Sequence, residues 1–207
     1  MKAADVKREN DKRLEALGVA VNAHLPTIEE PAELKPRSAQ DVATRAWVLS
    51  HVIGVGYGRT GKEMLEWLTR AGIQGSLTPR ERDFLKQRKY TDHDRAWAAW
   101  FAEAVHGCAW ALGLVDLEWL GGCPDDLVKH FRPNVDPRPS INAARLRPFD
   151  ELYVQADAHY RLHWAARQAR LTGSDFPQPE IAIQMRRHSF DWIVGLPYEW
   201  DDIPSDT

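Results

Sequence analysis

The sequence predicts an all-α fold, and three observations carry that expectation. Helix-capping signatures recur before runs with helical spacing: Ser38-x-x-Asp41, Thr78-Pro79-Arg80-Glu81 and Thr91-x-x-Asp94. No stretch alternates apolar and polar residues between turn signals, as a half-buried strand would. One long segment, about 149–171, holds helical periodicity over its whole length. The expected architecture is a compact multi-helix domain with that long helix at its centre and an irregular C-terminal tail.

The elements follow in order. Residues 4–17 read as a charged, weakly amphipathic helix ended by Gly18. Residues 22–38, with three prolines, read as an irregular crossing segment. The Ser38 signature opens a helix over 39–53, with Val42, Ala46, Leu49 and Ile53 on one face, and Gly54, Gly56 and Gly58 end it. A helix over 60–71 places Met64, Leu65, Leu68 and Ala71 together. Thr78 and Pro79 open a short helix to about Lys86. Thr91 opens another over 92–113, and a short helix follows Pro124. The Pro-rich stretch 132–148 is expected to be a long loop. After the long helix, a last one runs from about Pro179 to Val194.

A chain of 207 residues fits one domain, or a domain with an N-terminal extension. The expected division is 1–37, a helix and crossing segment, and 38–207, a helical domain, together one structural unit. The net charge of −3 gives no global basis for nucleic-acid binding. Two cysteines, Cys108 and Cys123, make no disulfide framework. No apolar signal core opens the chain and no stretch is long enough to span a bilayer, so a cytoplasmic protein without a membrane partner is expected.

Gly56, four residues, then Gly61 and Lys62 reproduce most of the phosphate-binding P-loop spacing. Glu63 stands where the hydroxyl that binds magnesium should be. The preceding segment reads as a helix rather than a buried strand. A glycine-rich helix connection with Lys62 in solvent is therefore expected, and no nucleotide.

At 100° per residue the long helix carries two apolar stripes. Tyr153, Tyr160, Trp164 and Leu171 form one; Val154, Ala158, Leu162, Ala165 and Ala169 form the other. Such a helix is packed on both sides. Between the stripes lie polar seams, one with Asp157, Arg161 and Gln168, the other with His159, His163, Arg167 and Arg170. His159 and His163, four apart, could share a metal, but no third ligand is near in sequence and Arg167 would oppose a cation. The expectation is no metal and no cofactor, with hydrogen-bonded histidines in a polar seam. Phosphate contact by Arg161, Arg167, Arg170, Arg186 and Arg187 is the weaker alternative. Arg45 falls between apolar positions of its helix, so burial is expected, with Glu103 or Asp157 as its carboxylate partner. Cys108 lies on the apolar face of the 92–113 helix and reads as an inert buried thiol.

Several segments together resemble a bacterial family described as domain of unknown function 4272. They are RSAQDVATRAWVL, LTPRERDFL, WFAEAVHGCAWALGL, ELYVQADAHYRLHWAARQARL, MRRHSFDWIVG and the terminal WDDIPSDT. The most specific parts are WALG at 110–113, YRLHWA at 160–165 and the W-D-x-x-x-x-D-T ending. Two positions depart from the family pattern: Met185 where Glu is usual, and Asp191 where Asn is usual. The resemblance implies a cytoplasmic helical fold and carries no activity or catalytic residue.

Two functions remain open. The first is a non-catalytic protein-interaction module, an immunity-type protein being one bacterial version. Its candidate surface is the tail, through Tyr198, Trp200 and Ile203 among Glu199, Asp201, Asp202 and Asp206; the competing reading has Trp200 folding back to close the core. The second is a hydrolase-like enzyme using His159 or His163 as base, with Glu103 or Asp157 as partner. An open cleft exposing both histidines favours the enzyme, and a sealed seam favours the module.

Overall fold

The structure, a computed structural model, describes residues 1–204. Among them are eight α-helices and no strand: α1 (Ala3–Ala16), α2 (Ala39–Gly56), α3 (Gly61–Arg70), α4 (Pro79–Leu85), α5 (Asp92–Ala111), α6 (Arg138–Ala143), α7 (Phe149–Thr172) and α8 (Glu180–Val194). No described helix is long and apolar enough to cross a membrane.

The caps explain where helices begin. Ser38, Thr60, Thr78 and Thr91 each accept the N–H three residues on, and the acid at that position bonds back to the cap. Glycines in the left-handed region end α7 and α8, Gly173 at φ 69° and Gly195 at φ 86°. Gly195 has a second reason: a Cβ there would stand 1.9 Å from the Lys35 carbonyl oxygen.

Two expectations about elements are corrected. α2 does not stop before Gly54 but continues through Gly56. A Cβ on Gly56 would lie 2.9 Å from the Arg95 oxygen and the Ala99 nitrogen, so this glycine lets α2 approach the α5 backbone. The 132–148 stretch is not all loop, because α6 lies inside it. Proline lacks only an N–H that the first turn leaves unbonded anyway, so Pro137 and Pro139 permit a helix start. Ser140 at that turn accepts the Trp47 indole N–H at 3.0 Å.

The chain forms two units. The first joins residues 1–37 to Leu117–Gly122 and the segment from Arg147 onward. The second unit is Ser38–Asp116 with Cys123–Leu146.

In the first unit α7 packs against α8 and α1. Leu14, Leu162, Ala165, Ala166 and Ile183 form a core there, to which the second stripe of α7 gives Leu162 and Ala165, while Leu171 of the first stripe is exposed. The Tyr153 hydroxyl donates to the Glu29 carbonyl at 2.7 Å and ties down the crossing segment.

In the second unit α2 packs along α5. Val42, Ala46, Leu49 and Val52 are fully buried on α2. Trp47 stacks on Trp67 at 5.7 Å and meets the edge of Phe131 at 5.5 Å. Arg45 is 5% exposed, as its helix position predicts. The carboxylate that bonds it at 2.8 Å is Glu81, which the sequence reading did not name; Glu103 and Asp157 were the acids expected. Glu81 also accepts the Thr78 N–H at 3.0 Å. A capping acid reads as a surface group in sequence, and here the cap points inward.

Candidate functional site

The central helix does carry a polar seam, and it is sealed from Asp157 to His163, while Gln168 and Arg170 are exposed. His159 is 0% exposed and His163 is 1% exposed. Asp157 accepts Asn10 Nδ2 at 2.8 Å and a two-pronged contact from Arg161, Nε at 2.8 Å and Nη2 at 2.7 Å. Arg161 also lies 3.5 Å from Asp11. His159 Nδ1 lies 2.9 Å from the Gln155 carbonyl, and its ring packs on Phe190 at 4.7 Å. These are partners within the first unit.

His163 is fixed by a guanidinium. Arg187 Nη1 is 3.0 Å from His163 Nδ1, and arginine can only donate. That nitrogen is therefore an acceptor, the imidazole is neutral, and its proton sits on Nε2, 3.8 Å from Glu180. Arg187 Nε donates to Asp191 at 3.1 Å and its guanidinium covers the Tyr160 ring at 4.7 Å. Burial pushes the Asp191 carboxyl up to about 7, with Arg187 pulling the other way. A cation at His163 would meet this guanidinium.

Arg170 of the seam and Arg186 of α8 have protein partners too. Arg170 pairs with Glu180, and Arg186 donates to the Glu118 and Gly121 carbonyls. Of the two acids expected as partner to the histidines, Asp157 lies in the first unit and Glu103 in the second.

Of the tail candidates, Tyr198 is exposed, while Trp200 and Ile203 are buried. Trp200 packs against Trp192 at 5.4 Å and His188 at 4.6 Å. Asp206 and Thr207 lie outside the described residues.

The P-loop-like glycines have structural uses in the second unit. Gly56 lies within α2, and Gly61 opens α3, where a Cβ would stand 2.0 Å from the Leu85 carbonyl oxygen. Glu63 is held in the cap of α3 by Thr60, whose hydrogen bonds lower its pKa. The Lys62 side chain is 85% exposed and lies 3.8 Å from Glu66.

What surrounds that turn is a basic cleft of about 1070 Å³. Arg59, Lys62 and Arg70 line it from α3 and its approach. Lys86, Arg88 and Lys89 come from the segment leaving α4, and Arg95 from the first turns of α5. Glu66 is the only acid among its lining residues. Arg95 Nη1 donates to the Val55 carbonyl at 2.8 Å and so is held at the wall. The Tyr90 ring is occupied by Phe84 at 5.1 Å and by the Arg95 guanidinium at 5.8 Å.

A second cavity of the same unit, about 880 Å³, shares Arg59, Glu66 and Arg70 with the cleft. Its wall includes His51, Trp67, Trp100, Phe131, Glu103 and Cys123. His51 stacks on Trp67 at 3.5 Å and its Nδ1 lies 2.8 Å from the Trp47 carbonyl. Burial lowers its pKa to about 4, so the ring is neutral and Nδ1 donates. His51 Nε2 then points a lone pair into buried space with no hydrogen-bond partner. Ligand atoms of Glu103, His106 and Cys123 lie within 4.8 Å of one another. Cys108 is fully buried, and its thiol is pushed up to about 12 by burial, as an inert thiol requires.

Sequence reasoning missed the basic cleft and the cavity. The run KQRKY at 86–90 was a visible signal for the first. For the second, the Glu103-x-x-His106 spacing was visible, but Cys123 is brought in from a separate loop.

No curated protein and no solved structure matches the chain. One family does, described as Domain of unknown function (DUF4272), over residues 6–203. With nearly its whole length inside that match, the chain belongs to the DUF4272 family.

Proposed function

We propose that this protein is a non-catalytic binding module that holds an acidic segment of a protein partner in the basic cleft of its second unit. One observation carries the reading, the contrast of charge. Seven cations and a single carboxylate line the cleft. A chain of net −3 that gathers +6 in one cleft carries −9 elsewhere. Such a surface draws a short acidic segment to one place and repels an extended polyanion around it. The cleft also lacks an open aromatic face for base stacking, since Tyr90 is covered by Phe84 and Arg95. Both points favour a peptide over single-stranded nucleic acid.

The sealed histidine seam supports this reading over the hydrolase-like alternative. An enzyme using His159 or His163 would need substrate at groups that are at most 1% exposed. An immunity-type protein, which neutralises a partner by holding it, is one form of such a module.

The test is fluorescence anisotropy with a short labelled Asp/Glu peptide, with an oligonucleotide of equal length as competitor. Lys86→Glu/Lys89→Glu reverses two exposed charges. The expected result is salt-sensitive peptide binding that weakens about tenfold or more in the variant. Equal binding by both proteins, or tighter binding of the oligonucleotide, would reject the proposal.

A further inference from the structure

We infer that Glu103, His106 and Cys123 form a binding site for a divalent transition metal of the zinc class, with one coordination position opening on the 880 Å³ cavity. The inference stands independently of what docks in the basic cleft.

The donor set is the first argument. Imidazole, thiolate and carboxylate are the three side-chain ligands that zinc uses, and three protein ligands plus an open position is the arrangement of reactive zinc sites. Glu103 and His106 are three apart on α5, so one helix face presents both; the same Glu-x-x-His spacing serves metal centres inside helical bundles. Cys123 comes from the loop that follows.

The second argument is the orientation of His106. Its Nε2 lies 3.0 Å from the Asp116 carbonyl, which accepts the proton that nitrogen carries. That bond fixes the tautomer and leaves Nδ1 with a lone pair. The residue is 1% exposed, and Nδ1 has no hydrogen-bond partner. It faces the Glu103 carboxylate, 3.9 Å away. A buried lone pair of His106 with no hydrogen-bond partner calls for a cation. A backbone carbonyl holding the far nitrogen of a metal-binding histidine is the usual outer support of such ligands.

Charge and geometry agree. A thiolate and a carboxylate neutralise a dication, so the filled site carries no net charge into a buried wall. Binding releases the Cys123 thiol proton to solvent. Tetrahedral zinc would draw its ligand atoms to roughly 3.3–3.8 Å from one another. The contraction from the present spacing falls on the loop bearing Cys123, which is the least buried of the three. Glu103 and Cys123 both line the cavity, so the remaining vertex opens toward the wall that also carries His51.

The probe is cobalt(II), added to the full-length protein after stripping with a chelator. The expected result is one equivalent bound, with a thiolate-to-cobalt charge-transfer band and the visible bands of tetrahedral cobalt, and displacement of both by zinc. Cys123→Ser should abolish the charge-transfer band and weaken zinc binding at least about 100-fold, since even outer-shell changes cost 10–100-fold. His106→Gln should weaken binding to a similar extent while the circular dichroism spectrum is unchanged. Cys108 is fully buried and cannot supply the band. If His106→Gln fails to fold, the Cys123→Ser result decides. No charge-transfer band in the unaltered protein, or equal zinc affinity in Cys123→Ser, overturns the inference.

Discussion

Removing the Glu81 carboxylate should unfold the second unit more readily than any change on its surface. Glu81 is 1% exposed and Arg45 is 5% exposed, so their 2.8 Å contact is shielded from water and salt. Breaking a buried pair from one side costs about 3–5 kcal/mol. The lower end applies, because Glu81 Oε1 is itself buried without a hydrogen bond and the intact pair already bears that penalty. Glu81→Ala also removes the acceptor for the Thr78 N–H, a cap worth about 0.5–2 kcal/mol. The expected total is about 3.5–5 kcal/mol. Glu81→Gln keeps an acceptor oxygen and should lose less. The assay is urea unfolding at pH 7, followed by tryptophan fluorescence and far-ultraviolet circular dichroism. A double-mutant cycle with Arg45→Met should return a coupling of about 2–3 kcal/mol. A Glu81→Ala protein within about 1 kcal/mol of the parent, or additive single and double changes, would refute the reasoning.

Three further outcomes follow from buried groups and close contacts. His51 has a folded pKa near 4 against 6.5 unfolded, so its contribution is complete above 6.5 and is lost as pH falls through 4, a loss of about 3 kcal/mol; urea titrations of His51→Gln should lack that component. Asp191 acts in the opposite sense: its folded value near 7 against 3.8 means the native state keeps a proton that the unfolded chain releases, so stability falls as pH rises from 3.8 through 7. Asp191→Asn mimics the protonated form and should equal or exceed the parent at pH 8 in melting temperature; a clear loss there would contradict the assignment. Gly61→Ala must move both the α4 end and Tyr90 and should cost about 1–3 kcal/mol, whereas Lys62→Ala, in solvent, should stay within about 0.5 kcal/mol on the same denaturation curves.

Helices were legible where local chemistry decides them. Ser38, Thr78 and Thr91 announced α2, α4 and α5 because a cap and its acid are neighbours in sequence. The end of α2 was not legible, because glycine breaks helices on average and Gly56 is kept helical by α5, which is far along the chain. The burial of Arg45 could be read from its own helix, but its partner could not, since Glu81 looks like any capping acid until α4 docks. The two stripes of α7 were plain, and so was the polar character of the seam between them. That the seam is sealed depends on Arg187 and Asn10, which α8 and α1 bring to it. The cleft and the cavity are tertiary objects. Lys86 and Arg59 become neighbours only when α4 turns back on the start of α3. His106 and Cys123 meet only when the loop after Asp116 returns to α5.

Chemical-shift mapping of the labelled protein during titration with the acidic peptide tests the central claim most directly. The binding-module account predicts saturable shifts confined to the amides of Arg59–Lys62 and Lys86–Tyr90, with the amides of Gln155–His163 unmoved. Shifts concentrated on the α7 seam, or shifts at the cleft that never saturate, would contradict it.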